Sequence, residues 1–315
     1  MTLTVVKPGL QTTLQGAPFS GHRHLGMPAA GAADCLSLAL ANHLVGNPPE
    51  AIAIELTLDD AKFTAEHPIV LALTGAAGFL RINGENRALH EPIYAKPGDE
   101  IHVGPAAQGC RSYLAVSGEI DAQYLLSGQS TYLGAGLGGF QGRALKANDT
   151  IKWTKGHRST NTSKRTPGGL RPVISNKSII RATIGPEIST LSSYSQKIFF
   201  EETYQIGPQT NRMGLSLQGA VLEQDSGSKM KSAPVFPGTI QCPPDGEPFL
   251  LGPDAQTTGG YPRVAQVIRS DRHLIGQLRP GSQIQLVQVS NERAIEIYRK
   301  KLALLTTWLG TISLW

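Results

Sequence analysis

An internal repeat is the feature that most constrains how this 315-residue chain can fold. The segment KPGDEIHV at Lys96–Val103 is echoed by RPGSQIQL at Arg279–Leu286, an offset of 183 residues. The segment PIVLALTGA, which begins at Pro68, is echoed by PFLLGPDAQ, which begins at Pro248, an offset of 180 residues. Unrelated coincidences would not be expected to share a spacing, so the sequence predicts two halves of similar structure.

Short apolar and β-branched runs dominate both halves. They are bounded by Gly, Pro, Asn or Asp, and the chain contains 35 Gly and 21 Pro. Many short strands separated by turn residues are typical of barrels and sandwiches, so we expect a mainly β fold with a few helices. The strands predicted most clearly are Ile69–Leu73, Phe79–Ile82, Ile101–Val103, Tyr113–Val116, Phe249–Leu251, Val264–Ile268 and Ile284–Val289.

Two segments have a helical pattern. In Leu36–Leu44 apolar residues recur at helical spacing, with Asp34 in the first turn and a stop at Gly46. His43 then lies along the buried side, where a structural role is favoured over catalysis. A second helix is predicted at Glu292–Leu305 and is expected to pack against the second barrel.

The formal net charge of +5 comes from one segment of the chain. Between Asp149 and Glu187 there are eight basic and no acidic residues, which leaves 21 basic against 24 acidic residues elsewhere. The segment from Lys155 to Pro172 is polar, rich in Ser, Thr and Gly, and has no interleaved aromatic residues. It therefore favours a solvated linker over a nucleic-acid contact. The predicted domains are 1–155 and 173–315, joined by a basic linker at 156–172.

The sequence shows neither the pattern of a signal peptide or membrane span nor a cysteine spacing typical of a metal site. The segment MTLTVVKPGLQTTLQG lacks a basic region followed by an apolar one. The apolar segment LALLTTWLGTISLW has 14 residues, fewer than the roughly 20 that a membrane span needs. Cys35, Cys110 and Cys242 are widely spaced and form no CxxC pair. We expect a cytoplasmic protein without a membrane anchor, a disulfide framework or a metal site.

The glycine-rich motif in the sequence lacks the structural context of a nucleotide-binding site. Gly134, Gly136 and Gly139 match GxGxxG, but the residues that follow, FQGRALKANDTIKW, contain turn formers instead of a helix. A dinucleotide site needs the helix N-terminus behind the glycines, because its free amides bind the pyrophosphate. The sequence also contains no GxxxxGK[ST] motif.

Six segments carry a resemblance to a known family. In chain order they are GHRHLGMPAAGAAD, LANHLVGNPPEAIAIELTL, RSYLAVSGEID, STYLGAGLGGFQGRALK, QTNRMGLSLQG and PGTIQCPPDGEPFLLGPDAQTTGGYPRVAQVI. Together they resemble the KipA family, also described as the AHS2 or biotin-dependent carboxyltransferase-like domain. The matching segments extend from near the N-terminus to about residue 290.

The resemblance implies two tandem cyclophilin-like β-barrels and a place as the C subunit of an ATP-dependent 5-oxoprolinase complex. Such a complex hydrolyses 5-oxo-L-proline to L-glutamate with ATP and Mg, and its other members are a KipI-like protein and a LamB/YcsF-like protein. The chain is then expected to be inactive or weakly active alone. Two alternatives stay open: the biotin-dependent carboxyltransferase of a urea carboxylase system, and a KipA-like regulator that binds a KipI-like kinase inhibitor.

The sequence departs from the family pattern near its N-terminus. Relatives usually read TxQDxGRxG, whereas this chain reads TLQGAPFSG, with Gly16 at the acidic position and Phe19 at the arginine. If the usual pair touches substrate, activity is in doubt. A structural loss that is compensated locally explains the change equally well.

The predicted site lies in the second half, in DAQTTGGYPRVAQV and QTNRMG. Hydroxyl, amide and guanidinium groups and uncovered backbone amides could bind a carboxylate or phosphate there. The alternative is a tight turn whose threonines satisfy backbone groups. No residue is identified as the general base, and Asp254 could equally cap the turn. The candidate substrate-binding residues are Asn211, Arg212, Gln256, Thr257, Thr258, Gly259, Gly260, Tyr261 and Arg263.

Overall fold

The computed structural model describes residues 1–154, 165–224 and 230–315. Strands dominate it, which confirms the mainly β prediction. Every strand predicted above is present, with ends that differ by two residues or fewer. Two large apolar cores lie in the described chain, one within the first 153 residues and one between Ile180 and Leu286.

The first half contains two antiparallel sheets around one core. A six-stranded sheet has the order β11-β1-β4-β9-β6-β7 and a five-stranded sheet the order β2-β3-β10-β5-β8. In β4, buried Ala and Phe alternate with partly exposed Lys and Thr, as expected where one face covers a core. The strands are β1 Thr2–Lys7, β2 Gln11–Gln15, β3 Ala53–Thr57, β4 Ala61–Ala65, β5 Ile69–Gly75, β6 Leu80–Ile82, β7 Glu85–Arg87, β8 Ile93–Ala95, β9 Glu100–Val103, β10 Arg111–Val116 and β11 Thr150–Lys152.

The second half forms a closed seven-stranded barrel and a separate two-stranded ribbon. The barrel order is β12-β19-β16-β17-β14-β13-β20, and a parallel pairing of β20 with β12 closes it. The ribbon pairs β15 with β18. The strands are β12 Lys177–Ile184, β13 Thr203–Thr210, β14 Gly214–Gln218, β15 Ala233–Pro234, β16 Thr239–Gln241, β17 Phe249–Leu251, β18 Thr258–Gly259, β19 Arg263–Val267 and β20 Gln283–Gln288.

The repeat detected in the sequence corresponds to matching turns in the structure. Gly98 precedes β9 with φ +84°, and Gly281 precedes β20 with φ +83°. In each turn a backbone N–H donates three residues back, from Asp99 to the Lys96 carbonyl and from Ser282 to the Arg279 carbonyl. Glycine is required at both positions because other residues rarely adopt this left-handed backbone conformation.

Four helices lie among the described residues, at α1 Cys35–Leu44, α2 Ser193–Glu201, α3 Arg272–Ile275 and α4 Asn291–Leu309. Asp34 caps α1 by accepting a hydrogen bond from the Ser37 amide. The ring of His43 lies 4.1 Å from the ring of Trp308 in α4, measured between centroids. None of the described helices is long and apolar enough to cross a membrane.

The C-terminal helix contacts the second half, as predicted, and also the first half, which was not predicted. Leu305 and Leu309 of α4 share an apolar cluster with Leu36 and Leu40 of α1, in the first half. On the side of the second half, Lys301 Nζ donates to the Ser270 carbonyl at 2.7 Å. Helix α4 therefore contacts both halves. Its apolar stripe packs against α1, whose residues are almost all buried.

Part of the predicted linker lies outside the described residues, at 155–164. The part that follows is packed against the protein. Leu170 is buried in the cluster shared by α1 and α4, and the guanidinium of Arg171 donates to the Thr166 carbonyl. Arg165 pairs with Glu91 of the first half at 2.9 Å.

Candidate functional site

Arg212, one of the predicted site residues, is buried where the two halves meet. It lies in the turn between β13 and β14 and is 4% exposed. Its Nε and Nη2 donate to the two Asp254 carboxylate oxygens at 2.9 and 2.8 Å. Its Nη1 donates to Glu55 at 2.5 Å and its Nη2 to the Gly31 carbonyl at 2.6 Å, both in the first half. All three nitrogens are thus engaged within the protein.

A buried polar network extends from Arg212 into the first half. Glu55 on β3 accepts from the Tyr113 hydroxyl at 2.7 Å and from the Ala33 amide at 3.0 Å. Burial alone would raise the pKa of Glu55, but the guanidinium groups of Arg212 and Arg111 outweigh it and hold the pKa below its usual value. Burial would likewise lower the pKa of Arg212, and the nearby carboxylates raise it instead. Glu55 and Arg212 therefore form an ionised pair, whereas burial raises the pKa of Asp254 against the opposing effect of Arg212.

Gln277 provides a second connection between the halves. Its side-chain oxygen accepts from the Cys110 and Arg111 amides, both at 3.0 Å. Its side-chain nitrogen donates to Asp34 at 2.7 Å and to the Arg111 carbonyl at 2.9 Å. Each polar group of this side chain is satisfied across the boundary, so Gln277 fixes the two halves relative to each other.

Asn211, next to Arg212, stabilises a turn. Its side-chain oxygen accepts from the Met213 amide at 2.8 Å and from the Gly214 amide at 3.4 Å. The side chain is exposed, whereas that of Arg212 is buried. The two adjacent candidates therefore face different surroundings, one solvent and one the boundary between the halves.

The predicted TTGGYPR segment forms an exposed ribbon. Thr258 and Gly259 in β18 pair with Pro234 and Ala233 in β15, and the Thr257 carbonyl accepts from the Val235 amide. Gln256, Thr258, Gly260 and Tyr261 are exposed, and Thr257 and Gly259 are partly so. A Cβ on Gly259 would lie 2.6 Å from the side-chain nitrogen of Gln241, which donates to the Tyr261 carbonyl, so a larger residue there would displace that side chain.

Arg263, at the end of this segment, forms an ion pair. Its Nε and Nη2 donate to the two carboxylate oxygens of Glu187 at 2.8 and 2.5 Å, and its Nη1 donates to the Pro234 carbonyl at 2.9 Å. Hydrogen bonding from Arg263 lowers the pKa of Glu187. The structure therefore brings residues 256–263 together with Glu187, while the charge of Arg263 is already balanced.

A cleft of about 210 Å³ between the halves contains residues that sequence reasoning missed. Its lining includes Arg23 from the first half and Phe236, Arg269 and Arg272 from the second, and no Asp or Glu among the described residues. The Arg23 guanidinium lies 4.9 Å from the centre of the Phe236 ring and donates to the Val235 carbonyl. Arg23 falls within GHRHLG, but no spacing in the sequence connects it to Arg272.

Gly16 and Phe19, where the chain departs from its relatives, both have structural roles. The Gly16 amide donates to Ser130 Oγ at 2.9 Å, and a Cβ there would lie 2.8 Å from Ile52 Cδ1. Phe19 is 4% exposed and packs with Met27 and Ala30. The local packing thus uses the small and the apolar residue, which favours the local-compensation hypothesis.

The glycine-rich segment at 134–142 also serves packing. Leu133–Ala135 is a single 3₁₀ turn, and turns instead of an α-helix follow it. A Cβ on Gly138 would lie 2.2 Å from the Ser130 carbonyl oxygen, and one on Gly142 would lie 1.8 Å from the Gly136 carbonyl oxygen. These glycines allow backbone segments to approach one another, and no helix N-terminus stands behind them to bind a pyrophosphate.

Comparison with known proteins identifies the family. Residues 25–288 match the family described as "Carboxyltransferase domain, subdomain A and B". The chain belongs to this carboxyltransferase domain family. It is 36% identical over 294 residues to the C subunit of 5-oxoprolinase from Escherichia coli, covering 93% of each chain. It is 31% identical to the C subunit of 5-oxoprolinase from Haemophilus influenzae, covering 92% of each chain.

A solved structure supports the fold. The chain superposes on the Kluyveromyces lactis urea carboxylase with a TM-score of 0.91 and 28% sequence identity. The match covers 98% of this chain but only 29% of that much longer protein. A fold of this kind therefore also occurs within a longer protein.

Proposed function

We propose that this chain is the C subunit of an ATP-dependent 5-oxoprolinase, a hydrolase that opens 5-oxo-L-proline to L-glutamate. The observation that carries the proposal is the 36% identity to the Escherichia coli protein over 93% of both chains. A likeness that extends over nearly the whole length of both proteins favours a shared role over a shared domain. The Haemophilus influenzae relative, with 92% coverage, supports the same assignment.

The chemistry of lactam opening sets what the complex must supply. A lactam carbonyl is a poor electrophile, and ATP would supply a phosphoryl group that converts its oxygen into a leaving group. The developing negative charge then needs fixed cations or amides. In this chain, Arg23, Arg269 and Arg272 line one cleft without a carboxylate among its described residues. The described residues suggest no general base, so we assign that role to a partner.

The side chains of this protein suit the phosphate groups of ATP better than they suit a Mg ion. Arginine side chains are suitable partners for phosphate or carboxylate oxygens. A group of three or more His, Cys, Asp or Glu side chains that could hold a metal ion does not occur within the described residues. We therefore assign Mg-ATP to a KipI-like or a LamB/YcsF-like partner protein, in a cytoplasmic complex where this chain is inactive alone.

The test is reconstitution. The purified chain is mixed with its candidate KipI-like and LamB/YcsF-like partners, and glutamate release from 5-oxo-L-proline is followed with and without ATP. We expect release only with ATP and only from the full mixture. If the full mixture releases no glutamate while a reference 5-oxoprolinase does, the proposal is wrong.

A second candidate function is biotin-dependent carboxyl transfer to urea. The observation that favours it is the TM-score of 0.91 to urea carboxylase over 98% of this chain. ATP-dependent carboxylation of urea after addition of a biotin carrier and a biotin carboxylase would support it. Binding to a KipI-like protein without any turnover would instead favour the regulatory alternative.

A further inference from the structure

The cleft between the halves has an unusual balance of charge. Three guanidinium groups line it, from Arg23, Arg269 and Arg272, and no carboxylate lies among its described lining residues. Arg269 is partly committed, since its Nε donates to the Leu314 carbonyl at 2.5 Å and its Nη2 to Ser313 at 3.3 Å. The other two arginines have donors to spare.

Two of those donors are buried and unpaired. Nη1 of Arg23 and Nε of Arg272 are covered from solvent and have no hydrogen-bond partner among the described residues. Burial lowers the pKa of both guanidinium groups, and for Arg272 the nearby Arg269 lowers it further. A buried N–H group without an acceptor leaves its cation incompletely compensated, so an anionic acceptor in the cleft beside these two guanidinium groups would be favoured.

The rest of the lining limits what the acceptor can belong to. Phe236, Leu251, Ile275 and Trp315 give the cleft an apolar wall. The volume of the cleft is about 210 Å³. A triphosphate would place several charges against this apolar wall, whereas a small molecule with one anionic group and an apolar body matches it.

We infer that this cleft is a binding site for the carboxylate of a small, otherwise uncharged molecule, held by Arg23 and Arg272 from opposite halves of the chain. A guanidinium binds a carboxylate through two parallel N–H···O bonds, which supplies both strength and orientation. The body of the ligand packs against Phe236 and Trp315. The inference deepens the proposed function by giving the carboxylate of 5-oxoproline a position, and it rests on that function only for the choice of probe.

The test is calorimetric titration of the full chain, alone and mixed with its candidate partner proteins. The probes are 5-oxo-L-proline, 2-pyrrolidinone, which is the same ring without the carboxylate, and inorganic phosphate. We expect 5-oxo-L-proline to bind and 2-pyrrolidinone not to bind. Arg272→Met and Arg23→Met should each weaken binding about ten-fold or more, as expected for loss of a charged hydrogen bond.

Matched variants separate the site from general effects. Arg293→Met removes an exposed arginine that pairs with Glu296 on α4, and it should leave binding unchanged. Arg272→Lys keeps the charge but loses the two-pronged geometry, so its affinity should lie between those of the wild type and Arg272→Met. Thermal unfolding of each variant confirms that it is folded before titration.

Three results would overturn the inference: no binding of 5-oxo-L-proline to the chain or to the mixture, binding that Arg272→Met leaves unchanged, or binding of phosphate in preference to the carboxylate. These results are distinct from failure of the proposed function. Binding without glutamate release contradicts only the 5-oxoprolinase assignment. Glutamate release without carboxylate binding at this cleft contradicts only the site.

Discussion

Arg212 and Arg272 both come from the second half of the chain and both lie near its boundary with the first half, yet their surroundings differ. Arg212 is bound by Asp254, Glu55 and the Gly31 carbonyl, so each of its nitrogens has a partner. Arg272 lines a cleft without a described carboxylate, and its Nε is buried without a partner among the described residues. The difference shows that a buried arginine at this boundary can either hold the halves together or remain available for a ligand.

The largest expected effect comes from removing the paired cation. Arg212→Met leaves Asp254 buried without its hydrogen-bonded cation and leaves Glu55 with Arg111 alone, and breaking a buried pair in this way typically costs about 3–5 kcal/mol. We expect a loss of that size in the free energy of unfolding, measured with urea. The control is Arg293→Met, whose solvent-exposed pair on α4 should contribute little to stability. A loss below about 1 kcal/mol for Arg212→Met would contradict the role of this residue.

The same variant should also change how stability depends on pH. In the wild type, Arg212 and Arg111 overcome burial and hold the pKa of Glu55 below 4.5. Ionised Glu55 therefore stabilises the fold above about pH 4.5, and that contribution is lost as the pH falls. Without Arg212, only Arg111 opposes burial at Glu55, and Asp254, whose pKa burial already raises, loses its paired cation. The pKa of both carboxyls should then rise, so the variant loses stability relative to wild type as the pH rises.

The deficit of Arg212→Met relative to wild type should accordingly be largest near pH 7 and shrink toward pH 5. Urea unfolding at both pH values measures it. Arg293→Met is again the control, because its small deficit should stay constant in this range. A deficit that is equal at both pH values would mean that Arg212 does not control the ionisation of Glu55 or Asp254.

Removing the unpaired cation of Arg272 should raise the free energy of unfolding, which is opposite to the effect expected at Arg212. Arg272→Met keeps much of the side-chain length but removes a partly buried charge whose Nε lacks an acceptor among the described residues. Since that unmet group carries a desolvation cost, we expect the free energy of unfolding to rise by about 1 kcal/mol. Thermal and urea unfolding without added anions test this. A loss of more than about 1 kcal/mol would mean that Arg272 supports the fold in the same way as Arg212.

Sequence reasoning predicted the strands well because local patterns determine them. Turn residues bound each run, and the repeated KPGDE and RPGSQ segments correspond to turns with Gly98 and Gly281 in the same backbone conformation. The packing of α4 could not be predicted, because its apolar stripe fits α1 as well as a barrel, and only the tertiary structure decides between them.

The sites were harder to predict for the same reason. Arg212 and Arg263 were chosen for their chemistry, but the partners that balance them, Glu55 and Glu187, are 157 and 76 residues away in sequence. Arg23 and Arg272 meet at one cleft only through the arrangement of the two halves. A single sequence carries no periodicity that reveals such a pairing, so the charge balance of each arginine becomes visible only in the structure.

The smallest effect on stability is expected at the exposed ribbon. Arg263 and Glu187 are each 22% exposed in their side chains, so solvent screens their pair, and Arg263→Ala should cost about 1 kcal/mol or less. Thr258 is exposed, and Thr258→Val should cost less still.

If the ribbon binds substrate, the double variant should lose turnover in the reconstituted complex while its unfolding midpoint hardly moves. Unchanged turnover with an intact fold would instead make the TTGGYPR segment a structural turn, and would leave the unpaired arginines of the cleft as the better candidate for substrate contact.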